Sequence, residues 1–340
     1  MSGRLFGVGI SGPSLTEAER RILDRDPPRG VILFARNVES IDQTRALVSD
    51  LRGRGLLVFV DLEGGPVDRL RGLLGRSISF REAAAGGLAR RAGELAGEAC
   101  ARFGIAVDLA PVVDRRVEGA SAEVLRDRCA AGGPEDVARA GNAFVAGLHS
   151  RGVGACVKHF PGLGRAALDT HEALPAIPES RSERARDLEP FRRTGPRARA
   201  VMISHAAGRD GVPATLSRAV AHRLLRGGVG FAGAAFSDDL EMGALEAFGG
   251  LPERAAAASR AGCDLLFVCS RIAEYPDCVA EVARAVSARR RAEAAARLDA
   301  YGRHLARIRR SARPPRPMPK LVAAIARLRE TGASGAAAAT

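Results

Sequence analysis

The sequence predicts one α/β domain, a (β/α)8 barrel of TIM type. Short apolar runs alternate with longer stretches of helical period, and the alternation repeats about eight times over 340 residues. The runs are apolar throughout, as suits strands buried on both faces of a parallel sheet. LFGVGI (5–10) is followed by TEAERRILDRD, with apolar residues at helical spacing, and GVILFA (30–35) by SIDQTRALVSDLRGR. LLVFVD (56–61) and AVDLAP (106–111) come next; PEDVARAGNAFVAGLHSR then leads to GACVKHF (154–160). RAVMISH (199–205), GFAGAAFSD (230–238) and DLLFVC (264–269) complete the set. The longer gaps, 62–105 and 112–153, leave room for loops over the barrel mouth. A doubly wound open sheet is the alternative, but no G-x-G-x-x-G follows the first run. The barrel is expected to occupy residues 1–312. Four prolines within six residues, in RPPRPMPK, then interrupt any helix. The tail, 313–340, has room for a short helix over LVAAIARLRE before a frayed end.

Composition excludes several classes. Hydrophobic residues make up 46% and charged residues 27%, the balance of a globular chain. No run approaches the roughly 18 apolar residues of a membrane span, and MSGRLFGVGISGPSL lacks the long apolar region of a secretory signal. The six cysteines (Cys100, Cys129, Cys156, Cys263, Cys269, Cys278) form no C-x-x-C pair. They read as reduced thiols in a cytoplasmic protein. The net charge of +13 is concentrated at the end of the chain: residues 281–320 hold twelve basic against three acidic residues. A basic tail can neutralise phosphates, but with no Trp and only Tyr275 and Tyr301 nearby, nucleic acid is not the expected partner. Among the 52 basic residues only Lys158 and Lys320 are lysine. In a chain so biased to arginine, a lysine marks a place where a compact ammonium is wanted instead of a planar fork.

Barrel active sites are built at the C-terminal ends of the strands. Asp61 ends the third predicted strand and Asp108 stands in the fourth. Lys158 and His159 end the fifth, Ser204 and His205 the sixth, and Ser237, Asp238 and Asp239 the seventh. No metal-ligand pattern is present and no cofactor is implied. Carboxylates among donors fit a sugar pocket better than a phosphate cradle. Farther along, KHFPGLGRAALDTHEALP (158–175) is a turn-rich loop carrying Asp169-Thr170-His171. There an Asp can accept the ring N–H, fix the tautomer and raise the basicity of the other nitrogen.

This string resembles the KHFPGHG-x-x-x-x-D-S-H signature of glycoside hydrolase family 3, in its single-domain bacterial β-N-acetylglucosaminidase (β-hexosaminidase) branch. The resemblance runs over residues 5–310. GVILFARN (30–37), VDLEGGPVDR (60–69), VDLAPVVD (107–114), DRC (127–129) and FSDDLEMGA (236–244) are each similar to segments of that family. It implies a (β/α)8 barrel and retaining hydrolysis through a glycosyl-enzyme intermediate. Asp238 would be the nucleophile, preferred over Asp239 because the family places its nucleophile first in the pair. His171 would be the acid/base with Asp169 orienting it, and Asp61, Arg69, Arg128, Lys158 and His159 would contact the sugar. Ser204 and His205 would either contact the sugar or support those that do. The three departures are Leu163 where the family has His, Pro66 for an Arg and Leu62 for Gln.

The expected function is cytoplasmic exo-β-N-acetylglucosaminidase activity on terminal β-linked GlcNAc, with peptidoglycan turnover fragments as substrates. The rival readings are a β-glucosidase, a β-N-acetylglucosaminide phosphorylase on the same site, and a non-catalytic barrel with a nucleic-acid-binding tail.

Overall fold

All eight apolar runs become parallel strands. The computed structural model describes residues 2–117, 125–165, 180–208 and 210–337. Its strands are β1 (Phe6–Gly9), β2 (Gly30–Leu33), β3 (Leu57–Val60), β6 (Val107–Asp108), β7 (Gly154–Ala155), β8 (Val157–Phe160), β9 (Ala200–Ile203), β10 (Ala234–Asp239) and β11 (Leu265–Val268). Two more, β4 (Leu62–Gly64) and β5 (Val67–Asp68), form a separate antiparallel hairpin directly after β3. The hydrogen-bonded order is β7-β6-β3-β2-β1-β11-β10-β9-β8. Since β7 and β8 are consecutive pieces of one run, the two ends of this order meet in the same stretch of chain. The sheet is a TIM-type barrel.

The run 154–160 is thus two strands where the sequence suggests one. Gly154 and Ala155 pair with Val107 and Asp108, while Val157 and Phe160 pair with Val201 and Ile203. The neighbouring chain carries an extra residue here: Asp108 pairs with Ala155 and Val112 with Lys158, so four steps on one side face three on the other. The Cys156 N–H is shared between the carbonyls of Asp108 and Ala110, at 3.2 Å each, and Val113 N–H reaches Lys158 O at 2.9 Å.

Three phenylalanines fill the barrel interior edge-to-face: Phe59, Phe236 and Phe267, with ring centroids 5.5–6.2 Å apart. Glycines opposite them make the room. A Cβ on Gly7 would lie 2.5 Å from the Phe267 ring, and one on Gly30 2.7 Å from the Phe59 ring. Large and small residues therefore interdigitate as a closed barrel requires. Tyr301, on the helix Ala288–Arg310, packs edge-on against Phe236 and donates its hydroxyl proton to Ala155 O at 2.9 Å. Outside the sheet, helix starts follow local chemistry. Thr16 with Glu19, and Ser79 with Glu82, each form a reciprocal capping box.

The end of the chain differs from the expectation of a short helix. A helix runs from Met318 to Ala337, with Pro319 in its first turn, where a missing N–H costs nothing. Leu321, Ala324, Ile325 and Leu328 recur at helical spacing, are buried, and belong to the main core. The helix packs on the helices Phe80–Ala85 and Ala89–Phe103. Arg316, just ahead of it, donates from both its backbone N–H (2.6 Å) and its Nε (2.8 Å) to the fully buried Glu98, which also pairs with Arg151. None of the helices among the described residues is long and apolar enough to cross a membrane.

If this helix belongs to the folded unit, Leu321→Ala in the full chain should cost about 2–5 kcal/mol in denaturant unfolding. A change within about 0.5 kcal/mol, typical of surface positions, would show that the helix is dispensable.

Candidate active site

The β4–β5 hairpin is where the mouth of the barrel begins. Asp61 leaves the C-terminal end of β3, and Glu63 follows two residues later in extended chain, hence on the same side. Gly64 and Gly65 then turn the chain with φ of +90° and +59°. A Cβ on Gly64 would also lie 2.1 Å from Ile78 O, so both steric conditions call for glycine. Pro66 sits exposed at the tip, and Arg69 returns toward the mouth, its Nη2 4.0 Å from Asp61 Oδ2.

Two cations converge on these acids. Lys158 Nζ, from β8, lies 2.6 Å from both Asp61 Oδ1 and Glu63 Oε1. Arg128 grips Glu63 with two prongs, Nε to Oε2 at 2.7 Å and Nη2 to Oε1 at 3.0 Å. Burial alone would raise the Glu63 carboxyl, but Arg128 and Lys158 hold it well below the usual carboxylate range. Burial likewise disfavours the Lys158 ammonium, and Asp61 and Glu63 more than reverse this, so the lysine stays charged.

His159 is fixed from behind by Asp114, which lies past the end of β6. One carboxylate oxygen of Asp114 accepts both the His159 backbone N–H (3.0 Å) and Nδ1–H (2.7 Å), and the other accepts Leu163 N–H (2.8 Å). Nε2 of His159 faces Arg128 Nη2 at 3.3 Å. The Lys158–His159 peptide is cis.

On the opposite wall β10 ends in Asp238 and Asp239. Asp238 is partly exposed and accepts the Asp239 backbone N–H at 2.9 Å. Its burial works against the charge, yet the facing His205, together with this N–H, keeps the carboxyl below its ordinary value. Asp239 goes the other way. Burial, then Glu241 and Asp238, push it up to about 7. Between the ordinary carboxylate range and pH 7 the two neighbours are therefore in opposite protonation states.

These walls enclose a cavity of about 150 Å³, lined by Asp61, Arg69, Arg128, Lys158, His159 and Asp238, together with Glu63 and Asp239. Six residues proposed from the sequence are thus brought together. Asp169 and His171 lie outside the described residues. Arg165, shortly before them, pairs with Asp187 and Glu183, as does Arg115. Asp108 and Ser237, strand-end residues in the sequence, do not line the cavity. Asp108 is fully buried and accepts Leu62 N–H at 2.9 Å, and Ser237 accepts Phe267 N–H at 2.9 Å. Leu163, where the family has His, is buried and lines the cavity. Neither the strand-end positions nor the family resemblance assigns a role to Glu63 or Asp114. The period-two spacing from Asp61 was a usable signal for Glu63; for Asp114 there was none beyond its acidity.

Carboxylates and cations converging at the C-terminal mouth of such a barrel define an enzyme site for a polyhydroxylated ligand. The family model described as the glycosyl hydrolase family 3 N terminal domain matches residues 8–308. The chain belongs to glycosyl hydrolase family 3, as a β-N-acetylhexosaminidase. A β-hexosaminidase of Alkalilimnicola ehrlichii is 39% identical over 293 residues, covering 82% of each chain. One of Pseudomonas aeruginosa is 38% identical over 279 residues, covering 79% of this chain and 83% of the relative. Among solved structures, a family 3 β-N-acetylglucosaminidase from Paenibacillus sp. superposes with a TM-score of 0.88 at 30% identity, over 97% of this chain and 68% of that one. NagZ from Neisseria gonorrhoeae, in complex with N-trifluoroacetyl-D-glucosamine, gives 0.77 at 28% identity, over 96% and 98%.

Lys158→Met would leave Asp61 and Glu63 facing each other without the shared ammonium. Denaturant unfolding should show a loss of about 3–5 kcal/mol, the cost of breaking a buried pair. The exposed Lys320→Met should change it by no more than about 0.5 kcal/mol. Equal, small effects would mean that the ammonium between the acids contributes nothing.

Asp239 gives a pH-dependent expectation. A folded pKa near 7, above the unfolded value of about 3.9, means that the folded state holds the extra proton in between. Its contribution is therefore present at low pH and is lost as pH rises through 7. The melting temperature of the wild type should fall relative to Asp239→Asn between pH 5 and 8. A constant difference across that range would contradict the assignment.

Proposed function

We propose that the protein is a retaining exo-β-N-acetylglucosaminidase that removes terminal β-linked GlcNAc from cytoplasmic peptidoglycan turnover fragments. The observation that carries this reading is the split between adjacent acids: Asp238 is the ionised carboxylate facing a cavity whose other walls supply hydrogen-bond donors. A carboxylate in that state attacks the anomeric carbon as the glycosidic bond breaks, giving a glycosyl-enzyme intermediate that water then hydrolyses.

Asp61 accepts from sugar hydroxyls while Arg69, Arg128 and Lys158 donate, and His159 borders the same ring. Such charge-assisted bonds fix one terminal sugar in the cavity, which accounts for exo action. His171 protonates the leaving oxygen and later takes a proton from water, with Asp169 orienting its ring. Histidine replaces the second carboxylate of the usual retaining pair. The acidic aglycone of a muramyl fragment finds a counterpart at the rim. Exposed Arg36 and half-buried Arg69 pack against the Phe34 ring, with guanidinium carbons 4.5 and 5.7 Å from its centre.

A slow fluorinated GlcNAc substrate should trap an adduct that mass spectrometry maps to Asp238, and Asp238→Asn should abolish turnover. An adduct on any other residue rules out this nucleophile. His171→Ala should hurt substrates with poor leaving groups by about 10²–10⁴-fold and activated aryl glycosides far less. Equal losses for both would make His171 structural.

A further inference from the structure

We infer that His205 is a positioning residue for the reaction: a doubly protonated imidazole, locked beneath the end of β10, whose fixed positive charge faces Asp238. The inference comes from counting protons. His205 and Thr215 are fully buried. Nε2 of His205 lies 2.7 Å from the backbone oxygen of Asp239, which can only accept, so Nε2 carries a proton. Nδ1 lies 2.8 Å from Thr215 Oγ1. That hydroxyl has one proton, and its oxygen stands 2.6 Å from Ser204 O and 3.1 Å from Ile203 O, both acceptors only. At 2.6 Å two oxygens need a hydrogen between them, so the hydroxyl proton points at Ser204 O and Oγ1 offers His205 a lone pair. Nδ1 must therefore donate as well. A neutral imidazole has one N–H, and this site uses two.

His159, on the facing wall, is held differently. It donates from Nδ1 to Asp114, and its Nε2 faces Arg128, which can only donate. Among the described residues, the titratable groups about this corner include Asp238, with Asp239 and Glu241 beside it, while Lys158 and His159 approach Asp238 from the other side. The imidazolium thus does two things. It holds the residue that follows the nucleophile by that residue's carbonyl oxygen, and it favours the ionised form of Asp238.

Two experiments on the full-length protein test this. In a sample with 15N-labelled histidine, both ring nitrogens of His205 should remain protonated at pH values well above the ordinary histidine value of about 6.5. The signals are assigned by their loss in His205→Gln. Second, the acid limb of the kcat/KM profile for an aryl GlcNAc glycoside should move up by about 1 unit or more in His205→Gln, since an opposite charge depresses a carboxylate by that order. Thr215→Val, which removes the acceptor, should move the limb the same way, and Thr215→Ser should restore it. Should His205→Gln fail to fold, the wild-type spectrum and the Thr215 pair still decide the matter. A wild-type His205 with one unprotonated ring nitrogen at neutral pH overturns the inference. So does a uniform loss of activity with an unmoved limb. The kinetic arm rests on Asp238 as the nucleophile and the spectroscopic arm does not, so an adduct trapped elsewhere would sink that reading and leave the charge state of His205 standing.

Discussion

A carboxylate shut away from water, Glu63, ties together three distant parts of the chain. It sits on the β4–β5 hairpin, and Arg128 reaches it from the loop before the helix Pro134–Ser150, while Lys158 reaches it from β8. An unpaired charge in that position would be prohibitive. The hairpin, the loop and the strand end must therefore be in place together or not at all. The consequence is pre-organisation: Lys158 and Arg128 are already oriented around the cavity before any sugar arrives, so little rearrangement is needed when charge develops during the reaction. Residue chemistry follows from the geometry. Glu63 presents two oxygens to a planar fork, while the point between Asp61 and Glu63, 2.6 Å from each, suits a compact ammonium. One of the two lysines in a chain of 52 basic residues occupies it.

The barrel was legible because each strand is a continuous apolar run, the signature of burial on both faces, and because Asp61, Lys158, His159 and Asp238 stand at strand ends. What escaped the sequence depends on pairing across the barrel. The split at Cys156 goes with an extra residue in the neighbouring chain between Asp108 and Val112, and no feature of GACVKHF itself announces it. Asp108 looks like a rim residue until Leu62 N–H turns out to need an acceptor beneath the hairpin. The helix Met318–Ala337 was partly readable, since Leu321, Ala324, Ile325 and Leu328 recur at helical period. Its length was obscured by an Ala- and Gly-rich end of weak amphipathicity.

Charge followed a similar course. Part of the basic excess late in the chain holds the fold. Arg290 and Arg297, with Arg226, surround the buried Asp264, and Arg316 completes the pairing of Glu98. These arginines answer acids on other elements, which composition alone does not reveal. Guanidinium groups keep their charge under such burial, and an arginine-rich chain can therefore staple helices to a barrel by means that a lysine-rich one would find costly.

The pairing of Asp238 with Asp239 extends this reasoning to chemistry. Two identical side chains, adjacent in sequence, would share one pKa in water. At the end of an extended strand, successive residues turn to different partners. Asp238 meets the Asp239 N–H and His205, whereas Asp239 meets Glu241 and the interior beside Cys269. One is driven to ionise and the other to keep its proton. The backbone carbonyl of Asp239 accepts from the His205 ring that faces Asp238, so the same peptide unit carries the acid held neutral and anchors the group that helps to keep its neighbour charged. The order of the two acids follows from this arrangement. Exchanging their roles would need the His205 ring on the Asp239 side of the strand, and the Thr215 hydroxyl and the Ser204 carbonyl hold the ring where it is.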